Sequence, residues 1–471
     1  MTTTAAIAPA PAPGFQMSTP TADRLLRQLA ELGEGAARKP TFLRAADAVQ
    51  RALYADFKLT YGNDRFAKLL ALKAVNLAIS RYHFLHRHTV LGAKPLQLML
   101  DPSNGCQLQC PGCVHSSNDF LKKAFEWPKN MMPKAHYDRL MEDMGPYAFS
   151  ATLYNYGEPL LNKNVNKMIA QAREYQLFTW ISSNLSLKFD AEGLVRSGLD
   201  YLTISADGAT QEVYSKYRRR GNLDLVIDNV RRLVAEKRRL GTKRPYLLWQ
   251  FLTFEHNLHE VEAAIELARE LGCDEVLVAT PFDVSYDVAD IRVATSPLEG
   301  RHTFTPFEEC QERLDQVAGT FVGDPAIDAA FEKSWYRGME ELGGLHEPNR
   351  GDAPMCRWLY ENLTLDGAGR LMPCCMSPTF ERHLVFGNIA DAKPDAINTE
   401  EAVLSRLAFA DRPAFDRAME GVPELKQSYC GRCTETSTPM FGATNAAVTL
   451  HRLDFASRVS FETYNRLSQW D

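Results

Sequence analysis

Short apolar runs alternate with longer amphipathic segments along the middle of the chain. The apolar runs predict buried strands at residues 96–100, 149–156, 178–183, 201–206, 247–254 and 275–280. Between them, apolar residues at helical spacing predict helices, for example at residues 163–175, 223–240 and 258–271. Repeated strand–helix units with near-continuous apolar strands are typical of a parallel sheet covered by helices. We therefore predict an α/β fold for this part of the chain.

The chain before residue 96 has a different pattern. Residues 1–20, rich in Thr, Ala and Pro, predict a disordered tail of low complexity. Residues 21–95 carry leucines at helical spacing and predict a helical N-terminal extension. Basic residues between positions 68 and 87 would allow this extension to lie on a membrane surface. We favour the other interpretation, a helical cap that packs on the following domain.

Composition narrows the class of protein. The 471 residues are 45% hydrophobic, which suffices for two domains and an extension, and the formal net charge of -6 argues against a dedicated nucleic-acid binder. No apolar run approaches the roughly 20 residues of a membrane span, and the N-terminus lacks the positive region of a secretory signal. Most of the cysteines are clustered like metal ligands, which suits a reducing compartment. We expect a soluble, cytoplasmic protein.

Three cysteines follow the first predicted strand in one short loop. Cys106, Cys110 and Cys113 have the spacing C-x3-C-x2-C. An odd number of thiols cannot all pair as disulfides, whereas three thiolates this close can share one soft metal centre. Zinc, with His115 as the fourth ligand, is one interpretation. The other is an iron–sulfur cluster, in which three cysteines would leave one iron open.

This loop after a strand resembles that of the radical S-adenosylmethionine (SAM) superfamily. In that family three such cysteines hold a [4Fe-4S] cluster, and SAM binds the open iron. The reduced cluster cleaves SAM to a 5'-deoxyadenosyl radical, which abstracts hydrogen from a substrate. Gly112 departs from the pattern, because the family often has an aromatic residue before the third cysteine. The resemblance implies an open, partial (β/α)6 TIM-like barrel at residues 96–300 and an external electron donor such as flavodoxin or ferredoxin.

Polar residues at the predicted strand ends extend the resemblance. The cofactor-binding residues that it implies are Gly157, Glu158, Pro159, Ser183, Asn184, Ser205, Arg218, Gln250 and Val278. In the family, the segment matching residues 157–159 binds the SAM amino group. Ser205 would face the ribose, residues 183–184 and Arg218 would approach the methionine end, and Val278 would pack on the adenine. Taken alone, the short polar residues at these positions are equally good helix N-caps.

A second cysteine set lies near the C-terminus. The predicted metal ligands are Cys356, Cys374, Cys430 and Cys433, with Cys375 and Cys310 as alternatives. Gly367 and Gly369 mark a hairpin turn between the first two. Four thiolates can bind structural zinc or a second iron–sulfur cluster, and the residue types do not separate these. The segment resembles the SPASM/Twitch extension in its shorter form, which implies one auxiliary [4Fe-4S] cluster at residues 301–433, followed by an extension at 434–471.

The resemblance implies an enzyme, a radical SAM oxidoreductase or lyase. We favour a small hydroxylated natural-product intermediate as substrate, a sugar or an aminocyclitol, which is oxidised, dehydrated or epimerised. By position, Tyr154, Asn155, Asp283 and Tyr286 are candidate pocket residues. Maturation of a ribosomal peptide is the alternative, although the N-terminal extension shows no strand pattern of a peptide-binding module. A non-catalytic zinc-binding interaction protein is the alternative from another class.

Overall fold

A computed structural model describes most of the α/β region and parts of the C-terminal region. The described residues are 50–51, 54–55, 58–59, 62–85, 87–116, 130–281, 291–307, 356, 358–375, 387–390, 397–418 and 430. Cys310, Cys433, Asp283 and Tyr286 lie outside them, as do the predicted N-terminal tail and the C-terminal extension.

The described residues form strands and helices in an alternating order. The strands are β1 (Gln97–Leu100), β2 (Ser150–Thr152), β3 (Phe178–Ser183), β4 (Tyr201–Ser205), β5 (Tyr246–Leu252), β6 (Glu275–Ala279), β7 (Gly300–Thr303), β8 (Asn362–Leu365), β9 (Arg370–Met372) and β10 (Gly387–Asn388). The helices are α1 (Asp64–Leu85), α2 (Lys134–Met144), α3 (Val165–Glu174), α4 (Ala191–Arg196), α5 (Gln211–Tyr217), α6 (Leu223–Arg239), α7 (Val261–Leu271), α8 (Trp358–Glu361), α9 (Glu400–Ala410) and α10 (Arg412–Ala418). Short 3-10 turns occupy Pro159–Leu161 and Leu258–Glu260.

All ten strands belong to one open sheet with the order β10-β9-β8-β1-β2-β3-β4-β5-β6-β7. Strands β1 to β6 are parallel, and β8 pairs with β1 in the same direction. The antiparallel strands β7, β9 and β10 lie at the two edges. The predicted α/β fold with an open parallel sheet is therefore confirmed. The predicted strand at 149–156 is longer than β2, because residues 155–157 leave the strand and turn onto the side chain of Asp101.

Strand alternation divides the sheet into two faces. One face packs on the helices and includes Ile181 and Trp249, which share the main core with Leu233 of α6. The other, which we call the inner face, carries an aromatic cluster with Phe178 and Tyr201. Because successive side chains on a strand point to opposite faces, a shift of one residue decides which side a functional group serves.

The N-terminal helix α1 packs on the segment that follows Cys356. The ring of Phe84 meets that of Tyr360 edge-on at 5.4 Å between centroids. The buried Arg406 of α9 donates hydrogen bonds to the carbonyl oxygens of Leu359 and Thr89, and so fastens α8, α9 and the residues after α1 together. Among the described helices, none is both long enough and apolar enough to cross a membrane.

Candidate functional site

The three cysteines of the first loop lie together beyond the end of β1. Cys110 is buried, Cys106 and Cys113 are partly buried, and none of them forms a disulfide. All three belong to one apolar cluster, which Tyr217 and Phe254 complete from the ends of α5 and β5. The structure therefore brings the predicted ligands of the first cluster into one patch.

Burial makes these thiols hard to ionise without a cation. It raises the pKa of Cys110 to about 11 and also raises the pKa values of Cys106 and Cys113 above their ordinary range. A metal centre would supply the positive charge that thiolates need, so this donor set fits a soft metal site. In the described part of the chain, no three His, Cys, Asp or Glu side chains converge on a point that would hold a single ion. The ring Nε2 of His115, the fourth ligand of the zinc interpretation, lies 3.0 Å from the carbonyl oxygen of Tyr156.

A buried carboxylate shapes the turn that contains the Gly-Glu-Pro motif. Asp101 follows β1, and its Oδ1 accepts hydrogen bonds from the backbone N–H groups of Asn155 and Gly157 at 3.0 and 3.2 Å. Its Oδ2 accepts one from the N–H of Tyr156 at 3.0 Å. In the sequence, Asp101 carries no functional signal beyond its place at a strand end. It is nonetheless the group that fixes the backbone of this turn.

The side chain of Glu158 joins the turn to the end of β3. Its Oε1 accepts hydrogen bonds from Ser183 Oγ (2.8 Å) and Leu160 N (3.1 Å). Its Oε2 accepts two from Asn184, at 2.9 Å from the backbone N–H and 2.6 Å from Nδ2. The same Nδ2 lies 3.7 Å from Cys106 Sγ. The structure thus connects three predicted site residues, Glu158, Ser183 and Asn184, to one another, and Asn184 reaches the cysteine loop.

Glu158 is itself inaccessible. It is 2% exposed, and burial raises its pKa to about 7. With both oxygens occupied inside the protein, its side chain joins the turn to the end of β3. Pro159 begins the 3-10 turn that follows.

The inner face presents a hydroxyl that sequence reasoning missed. Ser182 Oγ lies 3.2 Å from Ser205 Oγ, whereas Ser183 turns to the other face and bonds Glu158. Gln250 of β5 is the register partner of Ser205 of β4 and lies on the same face of the sheet. Alternation along β3, counted from Phe178, was the available signal for Ser182.

Val278 lies on the opposite side of the sheet from Ser205 and Gln250. It is 1% exposed and packs with Val276 in the helix-facing core. Its neighbour Leu277 is the residue of β6 that shares the inner face with Gln250, its partner in the register. This placement lends no support to the predicted contact of Val278 with an adenine, which stays a prediction.

Arg218 is held beside the cysteine loop by a buried carboxylate. Its Nε donates to Oδ2 of Asp207, which is fully buried, and its Nη1 lies 4.0 Å from Cys110 Sγ. Asp207 Oδ1 accepts a hydrogen bond from Leu252 N at 2.7 Å. Asp207 is therefore not the helix cap that its residue type would allow. It orients Arg218, whose guanidinium lies beside the cysteine loop.

Three cysteines of the second region lie near β1, on the side where β1 pairs with β8. Cys356, Cys374 and Cys375 share a small cluster with Met99 and Trp358. The predicted hairpin is confirmed, since β8 and β9 pair antiparallel and Gly369 adopts a φ of +80° in the turn. Cys430 is buried, within the main core. The choice between Cys374 and Cys375 as a ligand stays open, because both lie in the same cluster.

Two predicted pocket residues lie in the described region. The ring of Tyr154 meets Trp180 edge-on at 5.3 Å between centroids, on the inner face. Asn155 is bound through its backbone to Asp101. Tyr154 thus joins the inner-face residues, and Asn155 belongs to the turn.

The turn predicts a pH dependence of stability. Burial raises the pKa of Asp101 from 3.8 to about 7, and the nearby Asp366 carboxylate adds to this increase. A carboxyl group whose pKa is raised in the folded state stabilises fully below pH 4, and its contribution is lost as the pH rises through 7. Three pKa units correspond to about 4 kcal/mol at most. Denaturant unfolding of the cluster-free protein between pH 4 and 8 should show this decline, and Asp101→Asn should make it less steep, with the remainder due to Glu158, whose pKa is raised to about 7 as well. Equal slopes for the two proteins would contradict the assignment.

Two family models match the chain. The model of the radical SAM superfamily matches residues 100–248, and the model of the SPASM iron–sulfur cluster-binding domain matches residues 356–434. The first range contains both cysteine-loop and Gly-Glu-Pro motifs, and the second contains all four predicted auxiliary ligands.

Curated and solved proteins are similar over parts of the chain. The Probable GTP 3',8-cyclase of Methanocaldococcus jannaschii is 24% identical over 190 residues, which are 38% of this chain and 57% of that protein. The crystal structure of Streptococcus suis SuiB bound to precursor peptide SuiA is 15% identical, covering 75% of this chain and 71% of that one with a TM-score of 0.43. The structure of BtrN in complex with AdoMet and 2-DOIA is 14% identical, covering 72% and 92% with a TM-score of 0.35.

Proposed function

We propose that this protein abstracts hydrogen from a small hydroxylated substrate. The premise is that the chain belongs to the radical SAM superfamily and carries a SPASM domain. Its cofactors are [4Fe-4S] clusters and S-adenosylmethionine. When bound and reduced, these cofactors supply the abstraction of a hydrogen atom, a reaction that the side chains of a protein do not provide themselves.

The residues of the first loop would hold and orient these groups. Cys106, Cys110 and Cys113 would ligate the cluster, and Arg218 would place its positive charge beside Cys110. The backbone of residues 157–159, fixed by Asp101, would bind the SAM amino group. Ser205 would hydrogen-bond to its ribose, which leaves the neighbouring Ser182 for the substrate. In this arrangement the protein supplies position and exclusion of water.

The observation that carries the substrate proposal is the chemistry of the inner face. Partly exposed Ser182 and Gln250 offer a hydroxyl and an amide, and Tyr154 and Trp180 offer aromatic surfaces beside them. Sites that recognise hydroxyl groups combine a few convergent polar groups with apolar and aromatic walls. Sugars and aminocyclitols of natural-product pathways have this alternation of hydroxyl groups and apolar ring faces.

An oxidative outcome is our preferred reaction class. Of the second cysteine region, Cys356, Cys374 and Cys375 pack with Met99 of β1 and so lie close to the inner face. A cluster at this place would be near enough to the substrate to serve as its electron acceptor. Reduction of the first cluster needs an external donor such as flavodoxin or ferredoxin. We place the enzyme in the cytoplasm, where thiols stay reduced.

Anaerobic purification tests the proposal. We expect iron and sulfide with no stoichiometric zinc, and formation of 5'-deoxyadenosine from SAM under dithionite. A panel of sugars, aminocyclitols and short peptides should then show which class accelerates that formation. Acceleration by peptides would replace our substrate class with peptide maturation. One zinc per site, without iron and without 5'-deoxyadenosine, would leave the zinc-binding interaction protein as the better interpretation.

A further inference from the structure

The hairpin turn of the second cysteine region touches the first cysteine loop. The N–H of Gly367, in the β8–β9 turn, donates to Oδ1 of the buried Asn104, two residues before Cys106. A Cβ atom at position 367 would lie 2.8 Å from that oxygen and 2.9 Å from the backbone nitrogen of Asn104. The contact is close enough that a glycine is required. The pairing of β8 with β1 also extends beyond β1, since Leu365 O accepts a hydrogen bond from the N–H of Asp101 at 2.9 Å.

A second contact joins the same two regions through a side chain. Tyr156, in the turn that precedes Gly157, donates its hydroxyl hydrogen to the carbonyl oxygen of Cys375 at 2.6 Å. The backbone N–H of Tyr156 is bound to Asp101 at 3.0 Å. One residue therefore connects the Gly-Glu-Pro turn to the Cys374–Cys375 segment.

The loop and the turn are also bonded to each other. The N–H of Glu158 donates to Gly105 O at 2.8 Å. The first cysteine loop, the Gly-Glu-Pro turn and the β8–β9 hairpin with the Cys374–Cys375 segment that follows it are thus joined in a closed circuit of hydrogen bonds. In a closed circuit of packed elements, displacement of one segment is passed to the next, because buried polar groups lose their partners if they move alone.

We propose that Tyr156 is a positioning residue through which the C-terminal cysteine segment sets the arrangement of the SAM-binding turn. The inference rests on the proposed function in that the turn binds SAM. Neither the Gly-Glu-Pro motif nor the cysteine spacing predicts this role, which follows from the bond between the Tyr156 hydroxyl and Cys375. Order in the C-terminal segment, as when its cysteines bind a cluster, favours the binding-competent turn.

A matched pair of variants isolates the hydroxyl. Tyr156→Phe removes the bond to Cys375 and keeps the ring. Tyr137→Phe removes an equivalent bond, 2.7 Å from a tyrosine hydroxyl to Met168 O, at a buried position in α2. We expect Tyr156→Phe to bind SAM about 3- to 10-fold more weakly, the effect of one hydrogen bond. It should also reduce the change that SAM causes in the electron paramagnetic resonance signal of the first cluster. Tyr137→Phe should alter neither.

A double-mutant cycle with Cys374→Ala tests the coupling itself. Cys374→Ala should weaken SAM binding in the protein with Tyr156 and add little in the Tyr156→Phe background. Hydrogen exchange of the amides of residues 155–157 in the cluster-free protein should rise in Tyr156→Phe, which reports the same contact without SAM. The coupling would be overturned if the effects of Tyr156→Phe and Cys374→Ala on SAM binding were additive, or if Tyr156→Phe bound SAM like Tyr137→Phe. In either case, SAM binding by the wild type would leave the proposed function intact. A wild type that binds no SAM would overturn both.

Discussion

Replacing Cys106, Cys110 and Cys113 together with alanine is expected to lower the iron content from about eight atoms per chain to about four, the number in one cubane cluster. The same variant should form no 5'-deoxyadenosine from SAM under dithionite. The reason is geometric: the three thiols occupy one apolar patch and share its burial. Removing all three leaves no ligand of the first site, while the second cysteine set is untouched.

The control for this variant is another buried cysteine. Cys273, between α7 and β6, is 3% exposed, and burial raises the pKa of its thiol as well. We expect Cys273→Ala to keep both iron content and SAM cleavage. The two variants are compared by counting iron, sulfide and zinc in the anaerobically purified proteins. Retention of all iron by the triple variant, or an equal loss in Cys273→Ala, would show that the first loop does not hold a cluster.

The apolar pattern was sufficient to predict the six parallel strands β1 to β6, which form the middle of the sheet, but not the strands β7 to β10. The strand predicted at 178–183 has the bounds of β3, and those at 201–206 and 275–280 differ from β4 and β6 by one residue. These strands are buried on both faces, so their sequences are near-continuous apolar runs that end at polar residues. The spacing of Cys106, Cys110 and Cys113 likewise predicted three thiols that share one patch. Local sequence carries this information because each strand or loop is a single short segment.

The supporting groups could not be predicted, because they act between distant segments. Asp101 is 54 to 56 positions from the N–H groups that it binds, and Asp207 is 11 positions from Arg218. No local pattern marks such pairs. Ser182 is a different case. Sequence reasoning named its neighbour Ser183 as a cofactor contact, which stays a prediction, and did not consider Ser182, although period-two alternation gives Ser182 to the inner face.

Gly157→Ala is expected to have the largest effect of any single substitution in the turn. A Cβ atom at this position would lie 1.5 Å from the carbonyl oxygen of Ser103, which is a backbone atom and cannot rotate away. The turn would have to move, and the bond from Glu158 N to Gly105 O would break with it. Overpacking of this kind costs about 3 kcal/mol of the free energy of unfolding. A displacement of about 1 Å at a reacting centre reduces turnover by about 100-fold.

Gly105, whose carbonyl oxygen bonds Glu158 N, provides the control. Comparing the two variants separates a steric clash of the new Cβ from the mere loss of a glycine. A Cβ at Gly105 would lie 3.6 Å from Ser103 Oγ and 4.0 Å from Leu161 Cδ1, both ordinary contacts with side chains. Gly105→Ala should therefore lose less than 1 kcal/mol and keep most SAM binding, as a substitution without a steric conflict does. Thermal unfolding, the SAM dissociation constant and the rate of 5'-deoxyadenosine formation measure both variants. If Gly157→Ala bound SAM as tightly as Gly105→Ala, the close approach of the Gly-Glu-Pro turn to Ser103 would not be what shapes the site.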